Sequence, residues 1–259
     1  LSYPSLHITF LGTGTSSGVP MIGCGCKVCL SKDTKDNRLR SSILVQSETT
    51  SIVIDSGPDF RQQMLRHEVN RLNAIVFTHS HKDHIAGLDD VRAYNYFQQE
   101  QMNVYGTQAT LNRIIIEYDY AFHDFRYPGV PSIQLHILNE EDDFTIGDIK
   151  ITPIPVWHLN MPVLGFRFGD FTYITDANKI EELSKEKIKG SSVLVLNALR
   201  KEKHISHFTL QEAIDLADEL EIPQVYFTHV SHQMGLHEEI NRQLPRSRQL
   251  AFDGLQIEI

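Results

Sequence analysis

Short runs rich in branched and aromatic residues recur along the chain: "LHITFLG", "SILVQ", "SIVID", "AIVFT", "IQLHIL", "IKITPIPVWH", "VLGFRF", "FTYIT", "SVLVLN", "QVYFT" and "LQIEI". They predict β-strands. Residues 74–78 alternate poorly and read as a buried strand. Helical periodicity falls between some of these runs, over Pro58–His67, Leu88–Gln98, Thr107–Ile116 and Thr209–Leu220. The last opens with "TLQE", a capping box in which Thr209 caps and Glu212 reaches back. Strands that follow one another directly in places, with helices elsewhere, predict a layered α/β protein with mixed sheets. The segment "EYDYAFHDFRYPGVPS" is aromatic, proline-bearing and irregular, which predicts a long loop or lid. No repeat, low-complexity tract or linker divides residues 1–259, so a single domain is expected.

Composition narrows this little. An apolar content of 41% is ordinary, and no apolar run approaches the ~18 residues of a membrane span, so a soluble protein is expected. Leu1 rather than Met opens the sequence, which leaves room for a trimmed upstream segment. The net charge of −9, with Lys and Arg scattered, argues against long nucleic acid as a substrate but not against a small anion. The only cysteines, Cys24, Cys26 and Cys29, lie together in "CGCKVC". An odd, crowded set is a poor disulfide framework and a better set of thiolate ligands in a reducing compartment, which points to the cytoplasm.

The chemistry concentrates in "FTHSHKDHIAG". A buried strand ending in this stretch delivers His79, His81, Asp83 and His84 into a loop at the sheet edge. In extended chain His79 and His81 point the same way and could bind one metal, while Asp83 and His84 reach towards a second as the chain turns. Imidazole and carboxylate suit zinc, manganese or iron. A solvated histidine-rich loop is the bland alternative, and four ligand-type residues at this spacing argue against it. "LGTGTSSG" fits neither GxGxxG nor the Walker pattern, so a nucleotide loop is rejected.

HxHxDH after an apolar strand resembles the signature of the metallo-β-lactamase-fold hydrolases, and that family's other motifs follow in order: Asp55 in "VIDSG", His158 in "VWHL", Asp176 in "YITDA" and His229 in "YFTHVSH". The resemblance implies an αββα sandwich, two mixed β-sheets flanked by helices. It implies that His79, His81 and His158 hold one divalent ion, that Asp83, His84 and His229 hold another, that Asp176 bridges them together with a hydroxide, and that Asp55 orients the metal loop. Zinc or manganese is expected, with iron an alternative.

The CxCxxC pattern lacks a fourth ligand for a closed tetrahedral zinc site. His232 stands three residues beyond His229, and the opening "FLGTGTSSGVPMIGCGCKVC" is similar to the PhnP-like branch of the fold. That resemblance implies a structural zinc on Cys24, Cys26, Cys29 and His232, pinning the N-terminal loop to the C-terminal part of the chain.

Alkoxide departure from a phosphodiester needs a proton or a metal. His207 stands two residues before the capping Thr209, where the phosphodiesterase branches of the fold that this chain resembles carry a general-acid histidine, and "HFT" resembles the His-Ser-Thr motif of the transfer-RNA 3′-processing relatives; His204 is the competitor. Arg200, Lys201 and Lys203 are candidate phosphate contacts, and His123, Phe125 and Tyr127 are candidate pocket residues of the lid. The expected activity is dinuclear metal-dependent hydrolysis of a small phosphodiester, such as a cyclic ribose phosphate or cyclic nucleotide. Catalysis falls to His207, Asp176 and Asp83. Transfer-RNA 3′ processing, thioester or lactone hydrolysis, and a non-catalytic metal-binding carrier in cofactor biosynthesis are the competing expectations. A homodimer is an expectation from the resemblance alone.

Overall fold

The computed structural model describes residues 4–123 and 129–259. Its strands, in chain order, are β1 (His7–Gly12), β2 (Ser42–Gln46), β3 (Ser51–Ile54), β4 (Ala74–Val76), β5 (Met102–Gly106), β6 (Ile133–Ile137), β7 (Phe144–Ile146), β8 (Ile149–His158), β9 (Met161–Phe168), β10 (Phe171–Ile174), β11 (Val193–Asn197), β12 (Gln224–Thr228), β13 (Arg248–Leu250) and β14 (Gln256–Glu258). The α-helices are α1 (Phe60–Arg66), α2 (Lys82–Ile85), α3 (Arg92–Gln98), α4 (Gln108–Glu117), α5 (Glu182–Ile188), α6 (Leu210–Glu219) and α7 (His237–Asn241).

The strands form two seven-stranded sheets, ordered β14-β1-β2-β3-β4-β5-β6 and β13-β12-β11-β10-β9-β8-β7. Both are mixed. β1–β3 pair antiparallel and β3–β6 parallel in the first; β7–β10 pair antiparallel and β10–β13 parallel in the second. Three apolar clusters define the layers. Phe10, Ile43, Ile52, Phe166, Phe171 and Tyr173 fill the space between the sheets. Phe60, Leu88, Val91 and Leu111 cover the far side of the first, and Ile188, Ala213, Leu216 and Ile240 that of the second. This is the four-layer αββα sandwich that the resemblance implies. It also explains why runs such as "IVF" and "LVLN" lack alternation: strands with core on both faces have no polar side to show.

The sequence reading fails in specific places. β5, β7 and β13 have no counterpart among the expected runs, and α5 and α7 are short helices it passed over. The pattern over Leu88–Gln98 is two pieces, a 3-10 turn at Leu88–Val91 and then α3. α2 begins at Lys82, inside the histidine motif and ahead of the helical pattern that starts at Leu88. The expected irregular segment is partly helical, because α4 runs to Glu117 and a 3-10 turn occupies Asp119–Ala121. Its residues 124–128, which include Phe125 and Tyr127, lie outside the described residues. The capping box at Thr209 and Glu212 is present in both halves. No helix among the described residues is long and apolar enough to cross a membrane.

Arg38, 4% exposed, ties the N-terminal loop to the C-terminal segment by donating to Thr13 Oγ1 (2.8 Å) and to the Ala251 carbonyl (2.5 Å). Its guanidinium also faces His237 Nδ1 at 3.1 Å, which requires that nitrogen to accept. Burial first, then the Arg38 charge, pushes His237 down to about 4. An unfolded chain with an ordinary histidine near ~6.5 therefore takes up this proton first as pH falls. His237 thus supports the fold above that value, and its contribution is lost as pH falls towards about 4. In thermal melts, the advantage of the native chain over His237→Gln should shrink between pH 7 and pH 4.5. A constant difference in Tm over that range would contradict the assignment.

Candidate metal centre

The candidate residues sit where strands end. Asp55 follows β3, His79 and His81 follow β4, and His158 closes β8. Asp176 follows β10 and His229 follows β12. The carboxyl ends of both parallel strand groups meet at one edge of the sandwich. Leu164 N donates to the Thr78 carbonyl there (3.0 Å), fastening the second sheet to the histidine loop. Two glycines allow this loop to close. A Cβ on Gly57 would lie 2.0 Å from the Asp83 carbonyl oxygen, and one on Gly87 2.1 Å from that of Gly57. Asp55, Asp176 and His229 all have φ between 55° and 64°. These left-handed conformations are costly for residues with a Cβ and turn each side chain inwards at its strand end.

Ligand atoms of Asp83, His84, Asp176 and His229 lie within 4.8 Å of one another, as do those of His79, His81 and Asp176. Asp176 belongs to both groups, the place a bridging carboxylate would take. His158 enters a third group with Asp176 and His207, and its ring lies 5.2 Å from that of His81. The expected residues are therefore all brought together.

Buried hydrogen bonds aim them. Asp55 accepts from Thr78 N (2.9 Å), Thr78 Oγ1 (2.8 Å) and His84 Nδ1 (2.7 Å). His79 Nδ1 contacts Thr78 Oγ1 at 2.9 Å, His158 Nδ1 donates to the Ser206 carbonyl (2.8 Å), and His229 Nδ1 contacts Ser41 Oγ at 3.2 Å. In His79 and His158 the contact fixes Nδ1 and leaves Nε2 for a ligand role, whereas His229 Nδ1 also lies 3.0 Å from Asp176 Oδ1. Sequence reasoning missed Thr78, Ser41 and Ser206 as orienting groups. Thr78 adjoins the motif and could have been found; nothing in "LRSSIL" marks Ser41.

The electrostatics fit a cation. Burial alone would depress His84, yet Asp176, Asp83 and Asp55 hold it well above the ordinary histidine range. Its Nε2 is buried without a hydrogen-bond partner, 3.2 Å from Asp83 and 3.4 Å from Asp176. Several carboxylates around one imidazole in a dry pocket need positive charge, and a metal ion supplies it in place of the proton.

Cys24 Sγ and Cys26 Sγ each lie 3.4 Å from His232 Nδ1, and Cys29 completes that group. The Cys29 backbone amide, then His232, lower the Cys26 thiol to about 6. Burial raises Cys29 to about 11. His207 is 8% exposed, with its ring 4.6 Å from His158 and 4.8 Å from His229. His204 lies farther out, 5.3 Å from His207. Arg200 donates to the Glu202 and Lys203 carbonyls and to Gln233 Oε1, so its guanidinium is engaged in shaping its own loop. Lys201 and Lys203 are exposed, and His123 faces Asp119 at 3.6 Å.

The family model for the beta-lactamase superfamily domain matches residues 50–230, which hold the active-site ligand set. The chain belongs to the beta-lactamase superfamily. Within that superfamily it is 39% identical to a solved diphosphatase of the PhnP family, with a TM-score of 0.92 over 98% of this chain and 97% of that one. This superfamily member is thus PhnP-like. It is also 36% identical over 253 residues to an octanoyltransferase of Porphyromonas gingivalis, covering 97% of this chain and 51% of that protein. The chain spans about half the length of that curated relative. Zinc-bound PqqB of Methylobacterium extorquens shares the fold, with 20% identity and a TM-score of 0.76 over 98% of this chain and 100% of that one. Fold and donor set are those of this superfamily, and divalent metal ions are what they imply.

Two substitutions should separate the centres. Asp176→Asn should remove metal from the histidine cluster while leaving metal at the cysteines. Cys24→Ser should release metal bound at the cysteines and lower the Tm. Metal analysis of the purified variants would read both, and unchanged metal content in either would contradict the ligand assignment.

Proposed function

We propose that this domain hydrolyses small phosphodiesters. The observation that carries the reading is the clustered set of His79, His81, Asp83, His84, His158, Asp176 and His229, buried except for the exposed His81 and the half-buried Asp83, with His207 packed on two of its rings ahead of α6. His79, His81 and His158 would hold one divalent ion and Asp83, His84 and His229 another, with Asp176 shared. Zinc or manganese suits these donors, with iron an alternative, and a structural zinc suits Cys24, Cys26, Cys29 and His232. Bound there, the ions of the active site would lower the pKa of water and neutralise charge on phosphoryl oxygens. Asp83 and Asp176 hold that charge in place, and Asp55 and Thr78 keep the histidine loop rigid. The crowded thiols favour a reducing compartment, hence the cytoplasm.

His207 is the proposed proton donor to the departing alkoxide. Burial, then the neighbouring His229, lowers it to about 3 in the ligand-free chain, where it is neutral at pH 7. A phosphoryl anion beside it favours the protonated form, so substrate itself arms the acid. Wild-type kcat should then fall on the alkaline side, through the pKa of His207 in the complex.

A second reading, phosphoanhydride cleavage, is favoured by the likeness to a PhnP-family diphosphatase. A phosphate leaving group is far less basic than an alkoxide and depends less on an acid. Metal-loaded protein should be assayed on an activated diester, a cyclic ribose phosphate, 2′,3′-cyclic nucleotides, a diphosphate ester, a thioester and a β-lactam. Diester turnover is expected. His207→Ala should keep its metals, lose about 10²-fold or more on unactivated diesters, and lack the alkaline fall. Metal-loaded protein that turns over no diester would overturn the reading. A diphosphate ester cleaved faster than any diester, and equally well by His207→Ala, would favour the second.

A further inference from the structure

The β8–β9 hairpin turns through only two residues, because His158 pairs with Met161. The first of them, Leu159, has a φ of 57°. This is a left-handed conformation that glycine and asparagine adopt readily and leucine rarely. Asn160 stands next to it, so a residue type suited to the strained position sits one place away. The strain is held by an outside clamp. Asn178, two residues beyond Asp176, accepts from Leu159 N through Oδ1 (2.7 Å) and donates to the Ile205 carbonyl through Nδ2 (3.1 Å). Its own amide donates to the Trp157 carbonyl at 2.9 Å. One side chain thus ties the hairpin tip after His158 to the segment leading into His207.

The strained turn leaves Leu159 half exposed, at 49%. It lines a cavity of about 390 Å³ together with His81, His158, Asn160, Met161 and Ser206. Two proposed metal ligands, His81 and His158, line this space together with the apolar Leu159 and Met161, and Ser206 immediately precedes His207. His207 stands outside this lining, its ring 4.6 Å from that of His158, so the substituent of an oxygen that takes its proton has this adjoining space open to it. Backbone strain maintained to present an apolar side chain beside the reacting centre is better explained by binding than by folding.

We propose that this cavity is the leaving-group subsite, that it selects an apolar or aromatic alcohol, and that Leu159 is its specificity determinant. The proposal rests on the phosphodiesterase reading. In the step concerned, water oxygen bonds to phosphorus, the bond from phosphorus to the alcohol oxygen breaks, and that oxygen takes the proton of His207. The water consumed returns a proton to the histidine, leaving a phosphomonoester and an alcohol.

The test is benzyl methyl phosphate, whose alternative leaving alcohols have similar acidity. The ratio of benzyl alcohol to methanol released reports the subsite directly and does not depend on how much enzyme is active. Native protein should release benzyl alcohol in at least ~10-fold excess, the selectivity a modest apolar contact supplies. Leu159→Asn suits the left-handed backbone, so its Tm should be no lower than that of the native chain, and its ratio should approach one. Calorimetric titration should show benzylphosphonate binding the native protein more tightly than methylphosphonate, with the preference reduced in the variant. A native ratio near one or below, or a variant that keeps the native ratio, overturns the subsite and leaves the hydrolase reading intact. Absence of turnover on every diester overturns both.

Discussion

Asp55, Asp83 and Asp176 converge on the fully buried ring of His84, and this crowding of negative charge away from water is the constraint on which the site depends. Carboxylates in such a place must be hydrogen-bonded, paired with a cation or protonated. Asp55 is satisfied by Thr78 and His84. Asp176 accepts from Thr175 Oγ1 (2.7 Å), but the only charge-bearing partners that face it and Asp83 are histidines, so the arrangement is balanced by protons on imidazole or by metal ions. The histidines that would supply the protons are the residues whose spacing suits coordination.

The fold delivers these groups by ending strands. Buried runs in two sheets stop at one edge, and the chain then turns through left-handed corners at Asp55, Asp176 and His229. Strain at those corners persists because packing and hydrogen bonds over-determine them: Asn197 brackets the next residue after Asp176 by binding both the amide and the carbonyl of Ala177. The absence of Cβ atoms at Gly57 and Gly87 lets the histidine loop lie directly on the segment after Asp55. A similar device at Leu159, clamped by Asn178, extends the pattern from the ligands to the cavity lining beside them.

Much of this was legible in the sequence. His79, His81, Asp83 and His84 carry their chemistry in their spacing, and the more distant His158, Asp176 and His229 became readable through their resemblance to the family's motifs, taken in order. The Thr209 capping box announced α6, and with it the place of His207. What was not legible depends on contacts between distant segments. β5 is a modest run, "MNVYG", made into a strand by pairing with both β4 and β6. Ser41 acquires a role only because Gly14 bridges to both Arg40 and Val230 and so brings it to His229. The basic cluster at Arg200 looked like a phosphate contact, yet the arginine is engaged with its own loop and Gln233. Short helices such as α5 and α7 offer too few turns for periodicity to register.

The central claim is that metal ions replace protons in the cluster around His84. Manganese titrated into protein freed of its active-site metal, in weakly buffered solution at pH 7 with the pH monitored, tests it most directly. Manganese prefers nitrogen and oxygen donors to thiolates, so the cysteine site stays out of the measurement. The account predicts saturable binding with net release of protons, because His84 must give up its proton to become a ligand. Binding without proton release, or no binding, would contradict it.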